Sequence, residues 1–206
     1  MSLIDKRAVD KRRVLYTMKA SSVGRDIMKA AVTVRPVTRE TWADFEAFFL
    51  SHSILRYCWC MDFRLTREEL KKNDTEGRKS YIRQRIMDGV PVGLLAYMDG
   101  KPAAWCSVGP RETFRNLKGD EDLKNVWSIT CFFVPKDLRG QGLTRALVEG
   151  AKFYARKSGA AYLEGYPVDK ESPSYRHMGH LYMFERAGFA FVKSAGLRRR
   201  VMTFKL

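Results

Sequence analysis

The sequence predicts one α/β domain built on a single mixed, mostly antiparallel sheet flanked by helices. Its 206 residues exceed a typical domain of about 150 residues only by the length of a short extension. Hydrophobic residues make up 45% and aromatic residues 12% of the chain, enough to fill a core unaided. Strand-like and helix-like runs alternate along the chain. We therefore expect a basic extension over 1–30 and one domain over 31–206.

The first elements of the domain are predicted from β-branched residues and capping signals. The run 32–37 predicts a strand, and Thr38 suits the N-cap of the helix that follows. Segment 53–63, rich in aromatic residues and cysteines, shows no sustained period and is expected to be irregular. Thr66 and Glu69 have the spacing of a capping box, so another helix is expected to begin there.

The middle of the chain carries the strongest hairpin signal. Apolar runs over 92–98 and 101–108 lie on either side of Asp99 and Gly100, a pair that favours a turn with positive φ at both positions. These runs are expected to pair antiparallel. A further long strand is predicted over 126–134.

The C-terminal part of the chain is predicted to alternate between helices and strands. Apolar residues with helical spacing predict a helix over 143–159, followed by a strand over 161–167. A helix is predicted over 174–187, and two final strands are predicted over 189–193 and 199–205.

The charge balance is strongly basic. There are 38 Lys and Arg residues against 23 Asp and Glu residues, a net charge of +15. Residues 1–30 have scattered apolar positions and are expected to form at most one weak helix. A field of this sign attracts polyanions, which include nucleic acid, a phosphorylated cofactor and an acidic substrate. Composition alone does not choose among them.

Compartment and metal content follow from two further observations. No apolar run reaches the roughly 18 to 20 residues of a membrane span, and the N-terminus has no continuous apolar segment, so a cytoplasmic protein without membrane association is expected. The four cysteines, Cys58, Cys60, Cys106 and Cys131, have no zinc-knuckle spacing. Buried free thiols are therefore favoured over a metal site. Whether Cys58 or Cys60 is a reactive thiol is not decided by the sequence.

A glycine-rich corner between the strand over 126–134 and the next helix is the feature that points to chemistry. Gly140 and Gly142 let backbone amides approach phosphate oxygens at a helix N-terminus, and Arg139 adds a fixed cation. No Gly-Lys-Ser/Thr follows, which excludes the Walker pattern, and Arg145 occupies the third glycine position of the dinucleotide fingerprint. A different phosphate-bearing ligand is expected.

The corner resembles the acetyl-CoA signature of the GNAT N-acetyltransferase superfamily, written Q/R-x-x-G-x-G/A. Arg139, Gly140 and Gly142 match it, whereas Thr144 stands where Gly or Ala is expected. The segment 184–189 is similar to the family's aromatic-x-x-x-Gly-Phe segment. Several stretches, such as Cys-Trp-Cys-Met from position 58, resemble a bacterial subgroup without an assigned substrate.

The resemblance implies a GNAT-like acyl-CoA N-acyltransferase fold and direct transfer of an acetyl group from acetyl-CoA to a primary amine. The acceptor would be a small molecule or a peptide, and no metal is implied. By position, the cofactor would be held by Phe132, Phe133, Val134, Arg139, Gly140, Gln141, Gly142, Leu143, Thr144 and Phe184.

The catalytic side chains are less clearly indicated. Many family members place a tyrosine acid where this chain has Phe184, and Tyr182 is the nearest substitute. Glu164 is the best carboxylate for a general base, because alternation along its strand places it beside the cofactor gap. His177 and His180 are further titratable groups, more often found as surface or capping residues.

The alternative hypothesis is a non-catalytic acyl-CoA-binding module or a basic nucleic-acid-binding module. Phe184 and the run Arg198-Arg199-Arg200 motivate it. Nucleic acid is not favoured, because no recognisable nucleic-acid-binding motif accompanies the charge, and such runs are usually solvated faces. Loops 53–65 and 110–125 are expected to determine which acceptor is bound. The sequence does not decide whether the protein forms a homodimer.

Overall fold

The computed structural model describes residues 16–18 and 32–206. Its strands are β1 (Tyr16–Met18), β2 (Val32–Pro36), β3 (Gly93–Met98), β4 (Lys101–Pro110), β5 (Val126–Phe133), β6 (Tyr162–Gly165), β7 (Ala190–Ala195) and β8 (Arg199–Lys205). Its helices are α1 (Trp42–Leu50), α2 (Ser53–Cys58), α3 (Arg67–Lys72), α4 (Thr75–Met87), α5 (Leu143–Lys157) and α6 (Leu181–Arg186).

All described strands belong to one sheet with the order β1-β2-β3-β4-β5-β6-β8-β7. Every neighbouring pair is antiparallel except β5 and β6, which are parallel and joined through α5. The predicted single mixed, mostly antiparallel sheet is confirmed. The predicted hairpin is also present, with φ of 50° at Asp99 and 77° at Gly100.

The N-terminal extension is described only in part. β1 pairs with β2 and so adds one strand to the edge of the sheet. The remainder of 1–30, including the weak helix expected there, lies outside the described residues, and the boundary at 30/31 stays a prediction.

The core lies on both faces of the sheet. On one face α5 packs against the central strands, with Leu147 and Ala151 completely buried beside Ile129. On the other face α1 to α4 cover a cluster rich in aromatic rings, in which the Phe49 ring stacks on Trp59 at 5.2 Å. No helix in the described part of the chain is long and apolar enough to cross a membrane.

The capping signals are confirmed at α3 and differ at α1. Thr66 Oγ1 accepts from the Glu69 amide at 3.1 Å, and Glu69 Oε2 accepts from the Thr66 amide at 2.7 Å, which completes the capping box. The N-cap predicted at Thr38 is wrong, since α1 starts after Thr41. The Thr38 amide donates to Thr41 Oγ1 at 2.9 Å, so that hydroxyl closes the turn before the helix.

Two other elements differ from expectation in the segments that flank the site. The segment predicted to be irregular contains α2, which ends where Trp59 and Cys60 adopt positive φ of 44° and 52°. The helix predicted over 174–187 is confined to α6, because Tyr175 at φ 60° and Gly179 at φ 92° interrupt it. A 3₁₀ turn over Arg176–Met178 replaces its first half and packs against β5.

β5 and β6 diverge halfway along β5. Their pairing runs from Val126↔Tyr162 to Ile129↔Gly165, and β5 then continues alone to Phe133. A Cβ atom on Gly165 would collide with the ring of Phe184, so the absent side chain leaves room for this ring at the point of divergence. The far side of β5 therefore has no strand partner beyond Ile129.

We expect Gly165→Ala to destabilise the fold by about 1–3 kcal/mol, because the added methyl overpacks against Phe184. Urea unfolding measures the effect. Phe184→Leu should relieve the overlap, so the double variant should lose less stability than the sum of the two single variants.

The control combines Gly165→Ala with Phe45→Leu, which lies in the cluster on the opposite face of the sheet. Those two changes should be additive within about 0.5 kcal/mol. Additivity in the Phe184 pair as well would contradict the proposed contact.

Candidate active site

The glycine-rich turn presents free amides at the start of α5. Gly140 and Gly142 have φ of 78° and 81°, a conformation that favours glycine. The first α5 amide with a backbone acceptor before the helix is that of Ala146, which donates to Gly142 at 3.0 Å. Within the described part of the chain, the amides from Gly140 to Arg145 have no acceptor.

The side chains of the turn do not accept hydrogen bonds from these free amides. Arg139 is exposed, and its Nε donates to the Val134 carbonyl at 3.2 Å, which holds the guanidinium across the turn. Gln141 Nε2 donates to the Asp137 carbonyl at 3.3 Å. The dipole of α5 adds positive potential at the same point. The arrangement is that of an anion-binding corner.

A free backbone edge leads from the sheet to this turn. Residues 131–133 of β5 pair with β4 on one side and with no strand on the other. Thr130 is the extra residue of a bulge, since Cys131 lies opposite Ser107 whereas Ile129 lies opposite Val108. Alternate peptide groups on the open side are thus available to an extended ligand.

A cavity of about 140 Å³ lies against this edge. Its walls come from Thr130, Cys131, Phe132 and Phe133 of β5, from Ile54, Leu55, Cys58, Cys60, Asp62 and Phe63 of the α2 region, and from His177. Besides β5, two segments bound the cavity. Segment 53–63 was predicted to be irregular, and segment 174–187 was predicted to be a helix.

Three thiols are gathered at the cavity. Cys60 Sγ accepts from Trp105 Nε1 at 3.0 Å, and the Cys60 amide donates to Cys58 Sγ at 3.4 Å. A hydrogen bond with Cys131, together with burial, raises the pKa of the Cys60 thiol well above its usual range. A hydrogen bond with Cys60 and burial likewise raise the pKa of Cys58. Among the described residues, no group of three or more His, Cys, Asp or Glu side chains is placed to hold a metal ion.

His177 lines both this cavity and a second, larger cleft of about 1080 Å³. Asp62 and Phe63 also line both spaces, so the two are adjacent. Although His177 is an exposed residue, desolvation by the surrounding protein lowers its pKa below the ordinary value of 6.5. The Asp62 charge acts in the opposite direction, and the Arg199 charge lowers the pKa further. The imidazole is therefore neutral at pH 7.

Glu164 is held in a buried polar network and lines neither space. Its side chain is fully buried. Glu164 Oε1 accepts from Arg111 Nη1 at 3.0 Å and from the Asp120 amide at 2.9 Å, and Oε2 accepts from Tyr166 Oη at 2.6 Å. Both carboxylate oxygens are satisfied, which is the environment of a structural ion pair and not of a free base.

The aromatic residues of α6 are separated from the cavity. Tyr182 is 55% exposed, stacks on His180 with ring centroids 6.1 Å apart, and lines neither space. Phe184 is completely buried between Gly165 and Phe189 and touches the edge only through Phe132, at 6.1 Å between ring centroids. The structure thus places Phe132 and Phe133 at the cavity and the turn residues after the end of β5, and it leaves Glu164 and Tyr182 outside both cavities.

Sequence reasoning missed three features of the site. The bulge at Thr130 has no sequence signal, and His177 gains its position only from the turn over 175–179. The run Arg198-Arg199-Arg200 was expected to be a solvated face, which is wrong for its central residue: Arg199 is 8% exposed. Alternation along β8 was the signal available for this residue.

A family model described as the acetyltransferase (GNAT) family matches residues 54–189. The chain belongs to this family. The matched range includes the cavity, the strand edge and the glycine turn, and stops before β7 and β8. A comparison with curated proteins finds no match for this GNAT chain.

Solved structures agree in fold. A ribosomal-protein-alanine N-acetyltransferase from Brucella melitensis is 20% identical with a TM-score of 0.53, covering 84% of this chain and 99% of its own. Salmonella typhimurium yncA with its cofactor acetyl-CoA is 16% identical with a TM-score of 0.51, covering 85% and 94%. The GNAT domain of S. lividans PAT is 16% identical with a TM-score of 0.55, covering 97% and 100%. The GNAT fold expected from the sequence is confirmed.

We expect the thiols of this GNAT protein to resist alkylation in the folded state. A hydrogen bond with Cys60 and burial raise the pKa of Cys58, a hydrogen bond with Cys131 and burial raise that of Cys60, and burial raises that of Cys106. Because the thiolate is the nucleophile, iodoacetamide at pH 8 should modify these three residues at least about tenfold more slowly than in urea. Peptide mass spectrometry measures each site.

Cys106, which lies in the core and outside the cavity, serves as the internal control. Modification of Cys58 or Cys60 at the unfolded rate, with Cys106 still protected, would contradict the assignment of these two residues as neutral thiols.

Proposed function

We propose that the protein transfers an acetyl group directly from acetyl-CoA to a primary amine of a small molecule or peptide. The observation that carries this proposal is that the free backbone edge of β5 has a cavity against it and is followed along the chain by an anion-binding turn. Acetyl-CoA has a small acyl group, an extended amide-bearing arm and a diphosphate, which fit these three features.

The turn fits the diphosphate. The free amides from Gly140 to Arg145 are available as donors to a bound anion, and the Arg139 guanidinium supplies a neighbouring charge. Thr144, which replaces the family's small residue, is half-buried.

The open edge of β5 fits the pantetheine arm. Phe132, Phe133 and Val134 offer backbone donors and acceptors to an added strand-like segment. Phe184 supports this edge from below, through the ring of Phe132. The bound acetyl-CoA of the similarly folded Salmonella protein supports the same ligand for this chain.

When bound, acetyl-CoA supplies an activated acetyl group: the acceptor amine attacks the thioester carbonyl, the C–N bond forms, the C–S bond breaks, and coenzyme A leaves as a thiolate that takes a proton from solvent. The chain must hold the amine neutral and stabilise developing charge on the carbonyl oxygen. Backbone N–H groups at the Thr130 bulge, beside the cavity, would donate to that oxygen. His177 faces both the cavity and the wider cleft and accepts the amine proton as general base.

Glu164 acts in this scheme as a positioning residue. It binds Arg111 and Tyr166 beneath the site, and Tyr166 in turn lies 3.2 Å from Ser128 Oγ of β5. The network thereby fixes β6 relative to β5. Tyr182 takes no part, since it is exposed away from both spaces.

Acetyl-CoA should raise the apparent stability of the native protein and fail to do so in Gly142→Val. A β-branched residue is strained at φ 81° and disturbs the amides of the turn. At a concentration 100 times Kd, the ligand should add about 2.7 kcal/mol of stability to the parent. Thermal unfolding with and without ligand measures both proteins.

Gly89→Val is the matched control, because Gly89 has φ of 75° and open space around it but lies between α4 and β3. It should lose comparable intrinsic stability and keep the ligand shift. An equal acetyl-CoA shift in all three proteins would place the ligand elsewhere.

His177→Ala should lower kcat by at least about 100-fold near neutral pH. In the parent, kcat should fall as the pH drops through the His177 pKa, which lies below 6.5, because protonation removes the base. The variant should lack this limb, and added imidazole should restore part of the rate. Thiol release from acetyl-CoA follows the reaction.

A merely structural role for His177 predicts a lower rate with an unchanged pH profile and no response to imidazole. That result would remove His177 from the proposed mechanism and leave acetyl transfer itself standing.

A further inference from the structure

The cleft beyond His177 is strongly cationic. Five basic and two acidic side chains line its volume of about 1080 Å³, which is large enough for a drug-sized molecule or a short peptide. It shares Asp62, Phe63 and His177 with the cavity wall, so an acceptor bound in the cleft would lie next to the cavity. Most of the basic side chains are exposed, and water weakens their pull on an anion. Arg199 differs from them.

Arg199 is a buried cation with incomplete pairing. Its side chain is 8% exposed, and Nη1 has no hydrogen-bond partner among the described residues. Its single hydrogen bond runs from Nη2 to the Asn116 carbonyl at a long 3.4 Å. No carboxylate of the described residues lies within ion-pair distance.

Aromatic rings surround this guanidinium. Its carbon lies 5.3 Å from the centroid of Tyr175, 5.5 Å from that of Phe63 and 6.0 Å from that of Tyr166. Ring faces attract a cation without neutralising it. Tyr175 reaches its place through a left-handed backbone at φ 60°, a costly conformation for a bulky residue and one that recurs at ligand sites.

Two other arginines differ from Arg199: Arg111 is only partly buried, and Arg64 is buried with an unpartnered Nε but lies outside the cleft. Arg111 is paired with Glu164 at 3.0 Å. Arg64 also lacks a carboxylate, but it donates to the Val92 carbonyl at 2.9 Å and to Thr113 Oγ1 at 3.2 Å, and it does not line the cleft. Arg199 alone of the three combines burial, an unpartnered nitrogen and a place in the cleft wall.

We propose that the acceptor carries a carboxylate or phosphate group in addition to its amine, and that Arg199 binds this group. This inference rests on the proposed acetyl transfer. A buried cation is costly to leave unpaired, so an anionic acceptor gains an interaction that a neutral amine cannot supply. The planar guanidinium suits two-point binding of either anion.

The geometry links recognition to reaction. Arg199 and His177 line the same cleft, and Tyr175 contacts both, with its ring 6.4 Å from that of His177. An acceptor whose anion binds Arg199 thus presents its amine toward His177 and the cavity. Arg199 acts as a specificity-determining residue, and the acetyl group is transferred at the other end of the acceptor.

The test compares acceptors matched except for the anion. Phosphoethanolamine with ethanolamine tests phosphate, and glycylglycine with glycylglycinamide tests carboxylate. The parent should show a kcat/KM at least about tenfold higher for the anionic member of one or both pairs. Arg199→Met should abolish the preference and change the rate with the neutral member by less than about threefold.

Arg200→Met is the matched control. Arg200 lies on the same strand, bears the same charge and contacts Asp169 at 3.5 Å outside the cleft. This variant should keep the preference. Arg199→Met should fold with equal or higher stability, because it removes an unpaired buried charge. Arg199→Lys, which keeps the charge without the planar fork, provides a second variant and should lose most of the preference.

A binding measurement separates this inference from the proposed function. Inorganic phosphate should raise the Tm of the parent and of Arg200→Met more than that of Arg199→Met. Phosphate bound at the glycine turn raises all three equally and cancels in the comparison.

Each outcome is decisive. Equal rates within both acceptor pairs, together with equal phosphate shifts in the parent and Arg199→Met, would overturn the inference even if acetyl transfer occurs. An Arg199-dependent phosphate shift with no thiol release from acetyl-CoA and any of the amines would overturn the proposed function and retain the anion site.

Discussion

Hydrogen bonding between β5 and β6 stops at Ile129 and Gly165, and the arrangement of the whole site depends on that interruption. A continuous parallel pair would occupy both sides of β5 and leave no backbone for a ligand. The ring of Phe184 fills the space beside Gly165, and the 3₁₀ turn that carries His177 packs against β5 where the strand is alone. One interruption thus accounts for the strand edge, the cavity and the position of His177, the proposed general base.

Charge is distributed in two different ways around this gap. On the β6 side, Arg111 and Glu164 neutralise each other in a buried network. On the cleft side, Arg199 is held by rings and one long hydrogen bond. The first arrangement stabilises the fold. The second leaves a buried guanidinium without a carboxylate partner, and we propose that the anionic group of an acceptor pairs with it. The net charge of +15 is therefore less informative than the pairing of single residues.

Local signals were sufficient for most of the framework. The Asp99-Gly100 hairpin, the Thr66 and Glu69 capping box and the glycine turn are encoded by residues close in sequence, and each is present in the structure. Failures occurred where a positive φ at a non-glycine residue overrides helical patterning, as at Tyr175. Alternation along β8 places Arg199 on a buried face, but the rings that surround it, Phe63 and Tyr166, come from residues far away in the chain, and no local pattern identifies them.

The Arg111 and Glu164 pair reaches across β5, because Arg111 directly follows β4 and Glu164 lies on β6. Arg111 also donates to the carbonyls of Asp120 and Leu123 and so gathers the long β4–β5 connection onto the same clamp. The width of the gap is therefore set when the chain folds. The gap between β5 and β6 is therefore preorganised. The free-energy cost of separating the two strands is met during folding, so the binding of a ligand in the gap does not include it.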